Sequence, residues 1–281
     1  MPTSAIITVL VENTVSRPAL LAEHGLAFWI DTGTRRILFD TGQTSLVAEN
    51  ATKLGIDLAA VDTVALSHGH YDHTGGLATV LSQAVAPVVV HAHPAALGPK
   101  YHRKNTGIRE IGIPALSLDA LSRHNAILRN FHGPIEIAPS LYLTGEIPRL
   151  HPEEANNPNF SLDPEGTRPD PFEDDQAIYM NTSAGTLVLL GCAHAGVINT
   201  LDAIRRLTGS RPFYAVLGGM HLNSASPERL AWTIDALCRF SIEKLYPAHC
   251  TGMEATAALW AAFPDRCFPC NVGTSLSVQI T

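Results

Sequence analysis

The chain has few charged residues, and positive charge is not in excess. Charged side chains make up 16% of its 281 residues, and 19 lysines and arginines against 26 aspartates and glutamates give a formal net charge of −7. Broad surfaces that bind nucleic acid or anionic membranes need an excess of lysine and arginine. The composition therefore argues against both kinds of partner and leaves a small molecule as the expected substrate. The 46% of hydrophobic residues predicts a well-buried globular protein.

The sequence also lacks long apolar runs and a disulfide pattern. No run reaches the roughly 18 apolar residues of a transmembrane helix, and no basic segment precedes the first apolar stretch. The cysteines are odd in number, which fits reduced thiols better than a disulfide framework: Cys192, Cys238, Cys250, Cys267 and Cys270. These absences predict a cytoplasmic protein without a membrane segment. They leave the oligomeric state open between a monomer and a homodimer.

Two common catalytic motifs are missing as well. No G-x-S-x-G elbow presents a serine nucleophile, and no G-x-x-x-x-G-K-[S/T] loop is available to cradle phosphate groups. A serine hydrolase mechanism and a nucleotide-binding loop of this type therefore have no support in the sequence.

Metal-ligand residues, by contrast, are concentrated in residues 66–77, LSHGHYDHTGGL. This stretch carries His68, His70, Asp72 and His73 in the order H-x-H-x-D-H. Imidazole and carboxylate groups are the ligands that zinc and neighbouring transition metals accept. If a strand ends just before the cluster, His68 and His70 point the same way. Asp72 and His73 then fall on the following turn and can face a second ion. The alternative, a solvated histidine-rich turn, fits poorly with the β-branched apolar run before the cluster and the glycines after it.

Strand and helix patterns alternate along the chain in two similar halves, before residue 99 and after residue 176. This order predicts an α/β fold, a four-layered αββα sandwich of two mixed β-sheets flanked by helices. Residues 1–281 are expected to form a single domain. Residues 99–176 are rich in proline and polar side chains, and we interpret them as a loop-rich insertion or lid over the site.

Three further histidines each follow a predicted strand at its carboxyl end. They are His194 in GCAHAGVIN, His221 in GGMH and His249 in YPAHCTG. Ligands of open α/β sheets gather at that edge. A single histidine in such a place is most often structural. Three of them, together with the cluster at 68–73, indicate that at least two are metal ligands.

These motifs, with FDTG and SHGHYDHTGG, resemble those of the metallo-β-lactamase fold superfamily. More narrowly, they resemble the group of metal-dependent hydrolases that includes the dihydropterin ribofuranosylaminobenzene phosphate synthase of methanopterin biosynthesis. The resemblance covers nearly the whole chain. It implies the four-layered fold and a site with one or two Zn²⁺ ions, with Mn²⁺ or Fe²⁺ as alternatives.

The resemblance also implies roles for individual residues. The implied metal ligands are His68, His70 and His194 for a first ion and Asp72, His73 and His249 for a second. Many relatives place an aspartate at the bridging position, where this chain offers Cys192, His194 or His221. Asp40, in FDTG, matches an aspartate at the foot of the site, and its expected role is a hydrogen bond to a ligand histidine.

Such a site predicts a metal-dependent hydrolase that uses a metal-activated water on an ester-type bond, whether phosphoester, carboxyl ester or lactone. Asp72 and His221 are the candidate catalytic residues. Basic residues between 100 and 109 favour a small anionic substrate. The candidate substrate-binding residues are His24, Tyr71, Lys100, Arg103 and Lys104. Two alternatives stay open: a pterin-related transferase or synthase acting on a diphosphate or phosphoribosyl substrate, and a metal-holding binding or sensor protein.

Overall fold

The computed structural model describes residues 4–123, 126–155 and 157–281. The strands are β1 (Ser4–Val11), β2 (Ala27–Asp31), β3 (Arg36–Phe39), β4 (Thr63–Ala65), β5 (Val88–Ala92), β6 (Tyr101–Lys104), β7 (Gly107–Glu110), β8 (Ala126–Asn130), β9 (Ile135–Ala138), β10 (Leu141–Leu143), β11 (Phe160–Ser161), β12 (Ala177–Thr182), β13 (Gly185–Leu190), β14 (Phe213–Gly219), β15 (Ile242–Ala248) and β16 (Ser275–Gln279). The α-helices are α1 (Leu46–Lys53), α2 (Tyr71–Thr74), α3 (Leu77–Gln83), α4 (Ala115–Arg123), α5 (Val197–Leu207), α6 (Pro227–Cys238) and α7 (Met253–Ala262).

Two large mixed sheets lie face to face. The first has the strand order β16-β1-β2-β3-β4-β5-β8, antiparallel as far as β3 and parallel from β3 to β8. The second has the order β15-β14-β13-β12-β10-β9, in which β13, β14 and β15 are parallel. A small third sheet has the order β11-β6-β7. The parallel strands are joined through helices, because parallel neighbours need a crossover connection.

Alternate residues of the strands face different layers. Phe28 and Phe39 of the first sheet share one apolar cluster with Met180 of the second. Their neighbours Trp29 and Leu38 point the other way and pack with residues of α1, α3 and α4. Helices α5, α6 and α7 cover the outer face of the second sheet in the same manner. The predicted four-layered αββα sandwich of two mixed sheets is thus confirmed.

Residues 99–176 are more regular than their proline-rich sequence predicted. They supply β8 to the first sheet, β9 and β10 to the second, the helix α4, and the whole small sheet. The expectation of a loop-rich segment is therefore wrong for its first half. The edge strand β8 is largely exposed, so it lacks the apolar alternation by which a sequence reveals a strand. Residues 124, 125 and 156 of this segment lie outside the described residues. Its action as a lid stays a prediction.

In the described parts of the chain, no helix combines the length and the apolar character that crossing a membrane requires.

His91 on β5 makes the fold sensitive to acid. Burial, followed by the charges of Arg129 and Arg35, lowers the pKa of His91 to about 4. In the unfolded chain this pKa is about 6.5, so the unfolded chain binds a proton that the folded protein refuses. The free energy of unfolding therefore falls as the pH drops from about 6.5 to about 4.

We expect the substitution His91→Phe to reduce this loss of stability, because phenylalanine does not titrate and the ring already lies near Phe131. Urea unfolding of both proteins near pH 5 and near pH 7.5 measures the effect. The variant should gain stability relative to the wild type at the lower pH. An identical pH dependence in the two proteins would contradict the assignment to His91.

Candidate metal centre

The predicted site residues lie at one edge of the two large sheets, where the parallel strands end. Asp40 follows β3, and the cluster at 68–73 follows β4. His194, His221 and His249 follow β13, β14 and β15. Parallel strands present their carboxyl ends at the same edge, so residues far apart in the sequence meet there.

The backbone at these strand ends is strained. Four non-glycine residues have φ angles in the left-handed region: Asp40 at 58°, Ala193 at 53°, His221 at 48° and His249 at 51°. Each such residue costs on the order of 1–3 kcal/mol. Strain of this kind persists only where the surrounding structure fixes it, and it concentrates at functional sites.

Three imidazole rings form a buried triangle, which we call the first ligand group. The ring centroids of His68, His70 and His194 lie 4.5 to 4.8 Å apart. In each ring the Nε2 atom is buried and has no hydrogen-bond partner in the described residues. Burial lowers the pKa of all three rings well below the usual value, which keeps them neutral and able to bind a metal. Three unpartnered buried nitrogens, each costing about 1–3 kcal/mol, fit a place for a cation.

A chain of hydrogen bonds fixes how His68 presents its Nε2 atom. Asp40 accepts hydrogen bonds from the backbone N–H of Ser67 at 2.7 Å and from its Oγ at 2.6 Å. Because the hydroxyl hydrogen of Ser67 is used on Asp40, its oxygen accepts a hydrogen bond from Nδ1 of His68 at 2.8 Å. The proton of neutral His68 therefore lies on Nδ1, and the Nε2 lone pair is available to a metal.

The second ligand group combines Asp72, His73 and His249. The Nε2 atoms of His73 and His249 are 3.2 Å apart. Oδ2 of Asp72 lies 3.9 Å from the first and 3.4 Å from the second. Ligand atoms held about 2.0–2.2 Å from a tetrahedral ion lie roughly 3.3–3.6 Å from one another. The three distances of 3.2, 3.9 and 3.4 Å lie within or close to this range, so the group is compatible with one divalent cation.

The tautomers of the second ligand group also fit a cation. His73 donates through Nδ1 to Asp40 at 2.7 Å, and His249 donates through Nδ1 to Asn13 at 2.9 Å. The two Nε2 lone pairs then face each other, and a proton or a metal ion between them relieves their repulsion. Burial opposes a proton there, but the charges of Asp40 and Asp72 outweigh it and raise the pKa of His73 to about 9.

Cys192 lies between the two ligand groups. Its Sγ atom is 3.2 Å from Nε2 of His73. Its sulfur lies within 4.8 Å of ligand atoms of His68 and His194 in the first group. It also lies within 4.8 Å of ligand atoms of His73 and His249 in the second group. Of the three residues considered for the bridging position, Cys192 is the one that faces both groups. His194 belongs to the first group, and the His221 ring lies beside it with a centroid distance of 4.3 Å.

A cavity of about 1190 Å³ opens over both ligand groups. Its wall includes four of the predicted substrate-binding residues, His24, Tyr71, Arg103 and Lys104. Nε2 of His24 lies 3.1 Å from Oδ2 of Asp72, so His24 also touches the second group. Arg109, another of the basic residues between 100 and 109, also lines the cavity, and its guanidinium stacks over the Tyr71 ring at 4.7 Å. The β6–β7 hairpin therefore gives the cavity a basic wall.

Lys100 does not belong to this wall, and its assignment to substrate binding is wrong. Its side chain is 1% exposed, and Nζ donates to Asp170 at 3.0 Å and to Asp174 at 2.9 Å. Asp174 also accepts a hydrogen bond from the backbone N–H of Gly69 at 2.8 Å. The ion pair thus fixes the turn inside the histidine cluster. A lysine is exposed by default, and no motif near Lys100 pointed to its buried partners.

We expect the substitution Lys100→Met to destabilise the protein by about 3–5 kcal/mol, because it leaves two buried carboxylates without their cation. The free energy of unfolding in urea measures the loss. Lys104→Met, on the same hairpin but exposed, is the matched control and should change stability by less than about 0.5 kcal/mol. Equal losses in the two variants would show that the ion pair is unimportant.

Aromatic side chains from residues 99–176 pack on the first ligand group. The Phe172 ring stacks on His194 at a centroid distance of 4.3 Å and an angle of 5°. The Phe160 ring lies 5.7 Å from that of His70. With Ile111 these phenylalanines form a small apolar cluster that shields the imidazoles from water.

Other residues that shape the site were missed from the sequence. Glu12, just after β1, accepts a hydrogen bond from the backbone N–H of His249 at 2.7 Å, and Asn13 orients the His249 ring. Ser67 links Asp40 to the first ligand group. Of these residues, only Ser67 could have been found from the sequence, because it lies directly before the H-x-H pair.

Comparison with known proteins places this geometry in context. Residues 21–159 match the family model of the metallo-beta-lactamase superfamily. The 7,8-dihydropterin-6-methyl-4-(beta-D-ribofuranosyl)-aminobenzene-5'-phosphate synthase of Methanocaldococcus jannaschii is 30% identical over 264 residues, covering 87% of this chain and 86% of that protein. A solved structure described as a metal-dependent hydrolase of the beta-lactamase superfamily has a TM-score of 0.83 at 30% identity and covers 98% of this chain and 99% of its own. Zn²⁺-bound PqqB from Methylobacterium extorquens shares the fold at 14% identity, with a TM-score of 0.61 and coverage of 96% and 99%.

Proposed function

Because this chain belongs to the metallo-beta-lactamase superfamily, we propose that it is a metal-dependent hydrolase that cleaves an ester-type bond of a small anionic molecule. The observation that carries the proposal is the meeting of two ligand groups on one cavity. Zn²⁺ is the proposed metal, with Fe²⁺ or Mn²⁺ as alternatives. The proposed ligands are His68, His70 and His194 for one ion and Asp72, His73 and His249 for the other.

A divalent ion bound there supplies a water of lowered pKa and polarises a carbonyl or phosphoryl oxygen. The side chains of the site supply the rest of the chemistry. Asp72 orients the attacking water and takes its proton. His221, on the cavity wall beside His194, faces the leaving group and is placed to donate a proton to it. Phe160 and Phe172 keep bulk water away from the reacting bond.

The basic wall of the cavity supports an anionic substrate. Arg103, Lys104 and Arg109 line it, although the chain as a whole carries a net charge of −7. Positive charge concentrated in one cleft of an acidic protein attracts anions there selectively. A phosphoester, a carboxyl ester next to an acidic group, or an acidic lactone fits this wall.

The test is to remove metal with a chelator, reload separate samples with Zn²⁺, Mn²⁺ and Fe²⁺, and assay phosphodiesters, phosphotriesters, lactones and β-lactams. We expect stoichiometric metal and hydrolysis of at least one class only in a reloaded sample. A protein that retains none of the three metals would overturn the proposal. A loaded protein that is inert on every compound, yet binds one of them tightly, would identify a sensor instead.

A second candidate function is a pterin-related transferase or synthase, and the 30% identity to the Methanocaldococcus jannaschii synthase favours it. In this reading the site activates a diphosphate or phosphoribosyl substrate. It predicts tight binding of a reduced pterin in the cavity, detectable by fluorescence titration. A hydrolase of simple esters would show no such binding.

The role of Asp72 has its own test. We expect Asp72→Asn to lower the hydrolysis rate by at least about 100-fold, because general acid–base catalysis contributes about 10²–10⁴-fold and an amide takes up no proton. Rates and metal content are measured together. His24→Asn, which alters a neighbour of Asp72, is the control and should keep its metal. An Asp72→Asn protein with full metal and full rate would remove this residue from the mechanism.

We also propose that residues 1–281 act as one domain in which residues 99–176 form a lid. The stacking of Phe160 and Phe172 on the first ligand group supports the lid. The described cysteines are all unpaired, which supports a cytoplasmic location.

A further inference from the structure

We propose that the thiolate of Cys192 bridges the two metal ions of this site. The inference rests on the proposed two-ion function and goes further, because it names a sulfur ligand and the class of metal that such a ligand selects. Three features of the site support the bridging role: the position of the sulfur, the packing that holds it there and the chemistry of its neighbours.

The position of the sulfur is the primary evidence. Cys192 shares ligand-atom sets with histidines of both ligand groups, and its Sγ atom is 3.2 Å from Nε2 of His73. Among the described residues, no carboxylate belongs to a comparable set with histidines of both groups, since Asp72 lies close only to histidines of the second group. Asp40 is already bonded to His73 and Ser67 from behind the rings. The thiol is therefore the available bridging ligand.

Close backbone packing holds the sulfur in that position. A Cβ atom on Gly191 would come within 2.1 Å of Oγ of Ser67, the residue that orients His68. A Cβ atom on Gly219 would lie 3.2 Å from Cα of Cys192. Both glycines allow strand ends to approach more closely than other residues permit, so Cys192 is fixed relative to the first ligand group.

A buried cysteine most often serves as a small apolar side chain, and that alternative fits Cys192 poorly. Its sulfur faces ring nitrogens rather than methyl groups, and those nitrogens present lone pairs. The alternative does fit Cys270, which packs in the apolar cluster between the sheets. A metal thiolate has lone pairs left for a second ion, and its bonds to zinc, about 2.3 Å, are longer than the 2.0–2.1 Å of imidazole nitrogen.

A thiolate bridge narrows the choice of metal. Soft sulfur ligands favour Zn²⁺ and iron and work against Mn²⁺ and Mg²⁺, which prefer oxygen. Cys250 offers a matched control, because its thiol lies in a set with Cys192 and His221 but in no set with a histidine of the two ligand groups. Removal of Cys250 takes away a neighbouring sulfur but leaves the sulfur of Cys192 in place.

X-ray absorption at the zinc edge of the loaded full-length protein tests the proposal. We expect a sulfur shell near 2.3 Å in the wild type and in Cys250→Ser, and only nitrogen and oxygen ligands in Cys192→Ser and Cys192→Asp. The Co²⁺-substituted wild type should show a sulfur-to-cobalt charge-transfer band that both Cys192 variants lack. Cys192→Asp should also bind Mn²⁺ at least tenfold more tightly than the wild type, because it replaces sulfur by oxygen.

The outcomes separate the two proposals. Two zinc ions without a sulfur shell in the wild type would overturn the thiolate bridge and leave the hydrolase proposal standing. Loss of the sulfur shell in Cys250→Ser but not in Cys192→Ser would show that the sulfur ligand is Cys250, and this result would also overturn the thiolate bridge. A wild-type protein that retains no metal would overturn the two-ion function itself. The wild-type spectrum decides the matter even if a Cys192 variant fails to fold.

Discussion

Replacement of His194 by alanine should lower the metal content of the protein from two ions to one and slow hydrolysis by more than about 100-fold. Residues that merely orient a metal ligand cost about 10- to 100-fold in affinity or activity when they are changed, and His194 is proposed as a ligand itself. The substitution leaves His68 and His70 as the remaining imidazoles of the first ligand group. It also removes the ring on which Phe172 stacks. Metal analysis and rates on the substrate class found in the panel measure both effects.

Three further variants make this result specific. His249→Ala should also reduce the content to one ion, but from the second ligand group, and the double variant should retain none. His102→Ala is the control, since His102 lines the same cavity but stacks on Phe160 at 4.4 Å and belongs to neither ligand group. It should keep both ions. If His194→Ala kept two ions and the full rate, the first group would not be a metal site.

The fold was predictable from the sequence wherever an element is buried on a regular period. Helix α5 spans Val197–Leu207, as its apolar spacing predicts, because its buried face packs on the second sheet. The hairpin of β12 and β13 was predictable for the same reason. The sequence did not reveal β16, whose residues SLSVQ are mostly exposed or half-exposed at a sheet edge. Edge strands are specified by backbone pairing, which leaves no pattern of side chains.

The candidate site also has residues that were predictable from the sequence and residues that were not. The cluster at 68–73 is local, so its ligand types can be read from one short stretch. The partners of these residues are not local. Asn13 orients a ring 236 residues away, and Lys100 meets Asp174 across 74 residues. The sequence could name Cys192 only as one of three bridging candidates, because the order of strand ends around the site is a property of the folded sheets.

The substitution Asp40→Asn should weaken binding of the second ion by at least about 10- to 100-fold, although it barely changes the volume of the side chain. The oxygen that accepts from the backbone N–H of Ser67 must stay an oxygen, so the new amide nitrogen faces Nδ1 of His73. An amide nitrogen donates, which forces Nδ1 to accept and moves the ring proton to Nε2. Protonated Nε2 has no lone pair for a metal. The effect therefore acts through the tautomer of His73 and not through loss of charge alone.

Ser67→Ala separates this cause from a general disturbance of the site. It removes the acceptor that holds Nδ1–H of His68 but leaves the bond between Asp40 and His73 in place. Binding of the first ion alone should weaken in Ser67→Ala, whereas binding of the second ion should weaken only in Asp40→Asn, as measured by competitive titration against a chelator. Asp40→Asn also removes the acceptor of the Ser67 hydroxyl, so the second ion is the one that distinguishes the two variants. Nitrogen chemical shifts of His73 report the tautomer directly. An Asp40→Asn protein in which the His73 proton stays on Nδ1, and the second ion binds with unchanged affinity, would show that Asp40 does not control the second ligand group.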